Sequence, residues 1–577
     1  MISISANAQR NVKLQKQSAK QDKSMNSGNI GTDIFEVDSA RIDSVFKQFD
    51  RKDCPGCAVA VINAGKIIFQ KGYGMASLEH RVPIKPQTMF DIASISKQFT
   101  AYAILLLKSR GKISLDDDVR KYVPELPDFG KTIRIKHLVH HTSGLRDFGA
   151  LLMMTGWERD SPLNTSDFLD IISRQKELNY SPGEKFLYNN TNYALMGLIV
   201  ERIDGRTYSD FVNAEVLQPL GMNTTKVRDD PWKVVPDLAS KYTPQKEGGY
   251  KVNYIWSFTK VLGPMGILAS VEDLAKWDAA FYHELIGGKG IFKEMYSPSM
   301  LNSGKSSGHA FGLFAQPYNG LRRYLAEGSG GGSSVFMQFP DERLTVVVLC
   351  NRYQIDPSAL AEKVADVVLE KKFDKKQIAG VLPSASKKTP PIQELRKFEG
   401  VYWLSRSTDK VKFSIDKGIL TEQYNNEKPA PLAFLSDGRF FSKVEQLFYS
   451  FNSEKGEVLI ESLVDGVTTE WERAKRKAEA NLNQEQLLKY VGKYYSNELD
   501  LQWTIYIKDG KLYISRKKCE DQLLESLYKD GMYFTHTNHL TDIRYRIDFI
   551  PAEDGTIKEF LVSWGRLIGI VFNRVKE

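Results

Sequence analysis

The stretch FDIASISKQFTAYAILLLK, at positions 90–108, is the most informative segment of this chain. It places Ser94 three residues before Lys97, and the almost wholly apolar segment after them predicts a buried helix over 99–107. Residues three apart share a helix face, so the lysine nitrogen can reach the serine hydroxyl. Serine is a weak nucleophile without a base, and a desolvated lysine of lowered pKa can act as one. The same spacing at Ser44 and Lys47 lies in polar surroundings and indicates solvated residues.

Strand and helix signals on either side of this stretch predict the surrounding architecture. They place strands over 58–62, 67–69, 335–339 and 344–350, and helices over 193–203 and 360–369. Early and late strands with helices between them predict an α+β fold. In it, one antiparallel sheet is assembled from both ends of the region and a helical region lies beside it.

Four further stretches form a set with the first one. They are IKHLVHHTSGLRDF (135–148), GEKFLYNNTNYALMGLIVERI (183–203), LQPLGMNTT (217–225) and GILASVEDLAKW (266–277). Together they cover most of residues 50–350. The set resembles the serine β-lactamase and penicillin-binding protein superfamily, in its class C β-lactamase and D-aminopeptidase branch. The resemblance implies a β-lactamase-like fold and an enzyme that forms an acyl-enzyme on Ser94, with no metal or organic cofactor.

The second motif of that superfamily, Y-x-N, corresponds to Tyr188 and Asn190. A tyrosinate, or a tyrosine coupled to Lys97, can relay protons between the nucleophile and the leaving group. The asparagine amide can hold Lys97 and the substrate carbonyl. Asn192 is predicted to cap the following helix.

The histidine pair of HHTSGL suggests a catalyst or a metal site at first sight. Neither His140 nor His141 has metal ligands at suitable spacing, and the superfamily uses this segment as a structural turn. Both histidines are therefore assigned to the scaffold.

The third motif of the superfamily departs from its pattern. Relatives carry H-x-G or K-T-G, whereas this chain offers Leu325-Ala326-Glu327 or, with a deletion, Gly328-Ser329-Gly330. The second alignment makes Gly328, Ser329 and Gly330 candidate substrate-binding residues. Neither alignment starts with a basic residue, so a substrate carboxylate would meet little compensating charge. We therefore expect a preference for neutral acyl donors, with Arg322 or Arg323 taking over the lost charge as the alternative.

The last third of the chain contains a repeat. FEGVYW at 398–403 is similar to YVGKYY at 490–495, and the two copies end in WER (471–473) and FNR (572–574). Short strands with regular turns predict two small antiparallel barrels, lipocalin-like, that wall the mouth of the active site. The predicted organisation is a disordered segment (1–33), a hydrolase domain (34–371), a linker (372–392) and barrels over 393–475 and 484–577.

Composition excludes several other classes of protein. The 79 Lys and Arg against 71 Asp and Glu give a net charge of +8, a modest excess without a nucleic-acid motif. No apolar run reaches the roughly 18 residues of a membrane span. The small residues Ala6-Asn7-Ala8 match a signal-peptide cleavage site without the segments that should precede it. The resemblance implies a periplasmic or secreted protein, and a cytoplasmic location stays open.

The four cysteines do not predict a disulfide framework in a chain of this size. Cys54 and Cys57 form CPGC without a second CxxC, which favours buried or loop thiols. Cys350 ends a core strand.

The predicted function is that of a serine hydrolase acting on amide or ester bonds, most simply a D-stereospecific peptidase, aminopeptidase or esterase. A β-lactamase or DD-carboxypeptidase, an acyltransferase or peptide cyclase, and an inactive peptide-binding protein are the alternatives. The predicted partner is a small-molecule or peptide substrate, and the sequence leaves the oligomeric state open.

Overall fold

The structure is a computed structural model that describes residues 35–575 except 374–385, 387–388, 406, 465–466, 518 and 538–541. The predicted N-terminal segment and most of the predicted linker lie outside the described residues. No helix in the described part of the chain is long and apolar enough to cross a membrane.

The hydrolase region is built on one six-stranded antiparallel sheet, as predicted. Its strands, in spatial order, are Phe314–Ala315, Tyr324–Ser329, Ser333–Phe339, Leu344–Cys350, Cys57–Asn63 and Lys66–Tyr73. The first long strand pairs with the last one, with Val59 opposite Val348. The two ends of the region therefore meet in the middle of the sheet, which confirms the α+β prediction.

The helices pack beside this sheet. They run over Ser39–Phe46, Ser96–Ser109, Ile135–Val139, Phe148–Met154, Thr165–Ser173, Asn190–Asp204, Tyr208–Val212, Val271–His283, Ile291–Met295 and Pro357–Leu369. Short strands cover Met75–Ser77, Val82–Pro83, Phe90–Asp91, Lys226–Val227, Tyr242–Pro244, Tyr250–Val252 and Ile267–Ala269.

The helix Asn190–Asp204 ends at Gly205 as predicted, but its cap differs from the prediction. The side chain of Asn189, not that of Asn192, accepts from the backbone N–H of Thr191 at 2.8 Å. Asn192 instead accepts from Ser143 inside the core.

Two separate antiparallel barrels follow, which confirms the predicted repeat. Short helices, Ile392–Leu395 and Gln484–Leu488, precede the two barrels. The first barrel is closed by eight strands, Gly400–Leu404, Lys410–Asp416, Ile419–Tyr424, Ala430–Phe434, Phe440–Ser442, Leu447–Asn452, Glu457–Val464 and Val467–Arg476. The second has nine, Gly492–Ser496, Leu501–Lys508, Lys511–Arg516, Gln522–Leu523, Glu525–Tyr528, Gly531–Thr537, Asp542–Pro551, Ile557–Trp564 and Leu567–Arg574.

The repeated glycines occupy equivalent positions in the two barrels. A Cβ on Gly400 would lie 2.8 Å from the side chain of Arg476, and one on Gly492 would lie 2.9 Å from that of Arg574. The absence of a Cβ on each glycine therefore leaves room for the side chain of an arginine on the last strand of the same barrel. The equivalent of Arg574 is Arg476 rather than Arg473, so the predicted pairing of the WER and FNR ends is displaced by three residues.

A disulfide between Cys57 and Cys350 was not predicted. The two residues are direct partners on neighbouring antiparallel strands, where side chains are close enough to bond. Sequence spacing could not reveal this pair, because the strands lie at opposite ends of the region. Cys54 is buried, as predicted, and its thiol is free.

A buried carboxylate joins the helix Val271–His283 to the sheet and predicts a pH dependence of stability. Asp278 accepts from Thr345, Gln338 and the backbone of Gly65, yet burial raises its pKa from 3.8 to about 6. Between these values the folded protein holds more protons than the unfolded chain. The contribution of Asp278 to stability is therefore fully present below this window and is lost as pH rises through it, by roughly 3 kcal/mol.

Urea unfolding at several pH values checks this prediction. The free energy of unfolding of the wild type, relative to that of Asp278→Asn, should decrease as pH rises from 3.8 to about 6. Identical pH dependences for the two proteins would show that Asp278 is not the group responsible.

Candidate active site

Ser94 and Lys97 come together where a strand turns into a buried helix. The strand Phe90–Asp91 leads into a single 3-10 turn, Ala93–Ile95, and the helix starts at Ser96. Lys97 Nζ lies 3.0 Å from Ser94 Oγ. The lysine side chain is 1% exposed, as the apolar sequence around it predicts.

Three acceptors surround the amine of Lys97. Besides Ser94 Oγ, it contacts Asn190 Oδ1 at 3.0 Å and the backbone oxygen of Pro264 at 2.9 Å. Burial, with the charge of Arg566 adding to it, lowers the pKa of Lys97 well below its usual value. A neutral amine has two N–H donors and one lone pair. It can therefore donate to the asparagine and Pro264 oxygens while accepting the Ser94 proton.

Tyr188 lies against the same lysine. Its ring centroid is 4.8 Å from Lys97 Nζ and 4.5 Å from the ring of His141. Burial raises the pKa of Tyr188 to about 12, although a hydrogen bond with Ser94 opposes the shift. At neutral pH this side chain is therefore a phenol, which favours the coupled tyrosine over the tyrosinate.

The loop after the HHTSGL segment holds the Y-x-N motif in place. Asp147 accepts from the backbone N–H of Asn190 at 2.8 Å and from that of Ala150 at 3.1 Å, so one carboxylate caps a helix and fixes the motif. His141 Nδ1 accepts from the backbone of Asn189 at 3.1 Å. These contacts are those of a scaffold. No group of potential metal ligands occurs among the described residues.

The glycine-rich turn lies beside Ser94. Ser329 and Gly330 line a cavity of about 10 Å³ that also contains Ser94, roughly the space of one water molecule. Gly328 packs so tightly that a Cβ would lie 2.2 Å from the backbone oxygen of Ile92. Glu327, from the ungapped alignment, is exposed and accepts from Ser358.

The two arginines proposed to replace the missing basic residue are engaged elsewhere. Arg323 donates to Glu362 at 2.6 Å and to the backbone oxygen of Gln316 at 2.8 Å. Arg322 pairs with Asp341 on the surface. Neither is among the residues that line the Ser94 cavity, so the structure does not bring Arg323 to the predicted substrate site.

A buried cluster that the sequence did not predict supplies positive charge instead. Asp91 accepts from Arg228 and from Lys241, each at 3.1 Å, and Lys241 also donates to the backbone oxygen of Gly330 at 2.6 Å. Arg228 lines the Ser94 cavity. The third motif itself has no basic residue, but these two cations lie beside the cavity, paired with Asp91. The expected preference for neutral acyl donors stays a prediction. No sequence spacing connects these residues, because they lie in three separate segments of the chain.

Trp256 is a second lining residue that the sequence did not reveal. Its φ of 56° is in the left-handed region, which a bulky residue seldom adopts. The indole lies over Gly149, where a Cβ would be 2.8 Å from the ring. The ring of Trp157 packs against this indole, with the two ring centroids 5.3 Å apart.

The second barrel contributes a further unpredicted residue. Arg566 lies between the last two barrel strands, and its guanidinium carbon is 4.7 Å from the ring centroid of Tyr188. It also contacts Asp147 at 3.4 Å. Contacts between residues several hundred positions apart in the chain leave no trace in local sequence pattern.

Comparison with known proteins agrees with this geometry. A family model described as β-lactamase matches residues 42–369, more than half of the chain. A penicillin-binding protein of Bacillus subtilis is 28% identical over 324 residues, which are 54% of this chain and 71% of that protein. A D-aminopeptidase of Gluconobacter oxydans is 28% identical over 314 residues, which are 54% of this chain and 58% of that protein. The chain therefore spans little more than half of that D-aminopeptidase.

One solved structure extends the likeness beyond the family model. The octameric penicillin-binding protein homologue from Pyrococcus abyssi superposes with a TM-score of 0.51 at 24% identity. The superposition covers 84% of this chain and 99% of that one. At this identity the likeness concerns the fold.

Proposed function

The chain belongs to the β-lactamase family, and from this premise we propose that it is a serine hydrolase whose Ser94 forms an acyl-enzyme. The observation that carries the proposal is the contact of Lys97 Nζ with Ser94 Oγ at 3.0 Å in a buried setting. A buried lysine without a carboxylate hydrogen-bond partner in the described structure is suited to act as a base.

Acylation follows from the contacts of the two residues. Lys97 takes the hydroxyl proton while Ser94 Oγ attacks the substrate carbonyl carbon and forms a tetrahedral intermediate. The carbon–nitrogen or carbon–oxygen bond to the leaving group then breaks. Tyr188, protonated at neutral pH, donates a proton to the departing atom and recovers one from Lys97.

Deacylation uses the same groups in reverse. A water molecule attacks the acyl carbon, loses a proton to the Tyr188–Lys97 pair, and Ser94 leaves with a proton. In this proposal Asn190 orients Lys97 through its amide oxygen. Ser329 and Gly330 border the reacting carbonyl from the other side of the cavity.

The substrate class that we propose is D-aminoacyl amides and peptides, together with short esters. The similarity to penicillin-binding proteins and D-aminopeptidases supports it. The test measures kcat/KM for D- and L-alanine p-nitroanilide, p-nitrophenyl butyrate and a chromogenic cephalosporin. We expect the D-anilide or the ester to be the best substrate. A dominant cephalosporin activity would favour a β-lactamase instead, and preferential transfer to an added amine would favour an acyltransferase.

We place the protein outside the cytoplasm. The disulfide between Cys57 and Cys350 supports this, because disulfides persist in oxidising compartments. Thiol titration after denaturation without reductant should then find two free cysteines per chain rather than four.

A further inference from the structure

The turn that carries Arg566 is fastened to the loops around the active site. The side chain of Asn179 donates to the backbone oxygen of Arg566 at 3.0 Å and accepts from the backbone of Ile568 at 2.9 Å. Arg146, next to Asp147, donates to the backbone oxygens of Ile568 and Gly569 at 3.3 and 3.2 Å. These hydrogen bonds hold the backbone of the turn against the loops that flank the Y-x-N motif.

The guanidinium of Arg566 is directed at catalytic neighbours. Within the described part of the chain, its one hydrogen bond reaches Asp147 at 3.4 Å. The same guanidinium lies 4.7 Å from the Tyr188 ring centroid. That distance is typical of a cation–π contact. Asp147 in turn holds the backbone of Asn190. Arg566 therefore contacts one member of the Y-x-N motif and supports the other through Asp147.

We infer that Arg566 is a positioning residue of the active site, supplied by the second barrel, that holds the Tyr188 ring and adds a positive charge beside Lys97. This inference rests on the proposed function and goes beyond it. A barrel that only walled the mouth would affect substrate choice. A barrel that supplies this charge also affects the chemistry of Ser94.

The charge acts on the protonation of Lys97. The Lys97 amine and the Arg566 guanidinium lie 4.8 and 4.7 Å from the centroid of the same Tyr188 ring, so a proton on Lys97 would interact with the arginine charge in this partly buried site. Burial lowers the pKa of Lys97, and the positive charge of Arg566 lowers it further. The negative charge of Asp147 opposes this shift. The titratable or charged groups around Lys97 are Tyr188, Tyr193, His141, His309, Asp147 and Arg566.

Burial keeps the other groups neutral at pH 7. It lowers the pKa of His141 and His309 well below the usual value and raises that of the two tyrosines. Asp147 and Arg566 are then the charged groups that bias Lys97. Removing the arginine should raise the pKa of Lys97 and reduce the neutral fraction that can act as base.

The experiment measures the pH dependence of Ser94 phosphonylation by a neutral alkyl fluorophosphonate. The variants are Arg566→Gln, Arg566→Lys and, as a control with the same loss of charge, Arg544→Gln. Arg544 is exposed on the second barrel and stacks on Tyr533. The probe carries no charge, so the profile reports the base rather than substrate binding.

The inference predicts that Arg566→Gln moves the acidic limb of the profile to higher pH. Labelling near pH 7 should slow by roughly tenfold. Arg566→Lys should restore most of the wild-type profile, and Arg544→Gln should coincide with it. The role of Arg566 would be overturned if the acidic limb of the Arg566→Gln profile lay at the wild-type pH. It would also be overturned if Arg566→Lys slowed labelling as much as Arg566→Gln. Wild-type protein that is not labelled on Ser94 would instead overturn the proposed function, and this inference with it.

Discussion

Replacing Ser94 with alanine is expected to lower kcat/KM by at least about a thousandfold, or about 4 kcal/mol of transition-state stabilisation. Without the hydroxyl no acyl-enzyme can form. Lys97→Ala should lose nearly as much, because the serine then has no base at 3.0 Å. The double variant should be little worse than either single one, since the two groups act as a unit.

Ser44→Ala is the matched control for this experiment. Ser44 also precedes a lysine, Lys47, by three residues, but it is exposed and donates to the backbone oxygen of Arg41. Its loss should leave kcat/KM unchanged. Wild-type turnover in Ser94→Ala, or additive effects of the two active-site substitutions, would contradict the proposed pairing.

Breaking the buried ion pair between the hydrolase region and the second barrel is expected to have the second largest effect. Arg146 and Glu498 are 1% and 5% exposed, and Glu498 also accepts from the backbone of Lys176 at 3.0 Å. Glu498→Ala would leave the arginine charge buried without its carboxylate. We expect a loss of about 3–5 kcal/mol of stability.

Chemical denaturation measures this loss, and two further variants define its cause. Arg146→Met combined with Glu498→Leu should be less destabilised than Glu498→Ala, because no charge is left unpaired. Arg51→Ala breaks an exposed pair with Asp53, with side chains 61% and 67% exposed, and should leave the free energy of unfolding nearly unchanged. If Glu498→Ala were as mild as Arg51→Ala, the ion pair would not fasten the barrel.

Local sequence pattern predicted the elements that depend on neighbouring residues. The run after Lys97 had to be a buried helix because it is apolar on nearly every side, and the helix is Ser96–Ser109. The two barrels followed from the repeat around Gly400 and Gly492, since similar sequence patterns fold into similar units. The contact of Lys97 with Ser94 and Asn190 agrees with the positions that the motifs indicated.

The remaining features depend on contacts between distant segments. The Cys57–Cys350 bond needs the register of two strands from opposite ends of the region. Lys241 and Arg228 reach the site from loops, and loops have no periodic sequence pattern from which their positions could be predicted. Arg566 reaches it because a whole barrel docks there. Arg322 and Arg323 were considered for the missing charge because they are near the motif in sequence, yet their acid partners lie elsewhere.

The most direct measurement is the mass and location of the covalent adduct formed when the full chain reacts with a fluorophosphonate. The account predicts one adduct per chain, on the proteolytic peptide that contains Ser94, and none in Ser94→Ala. It also predicts that the labelled protein loses hydrolysis of every substrate it turns over. An adduct on another residue, or hydrolysis that continues after complete labelling of Ser94, would contradict the assignment of Ser94 as the nucleophile.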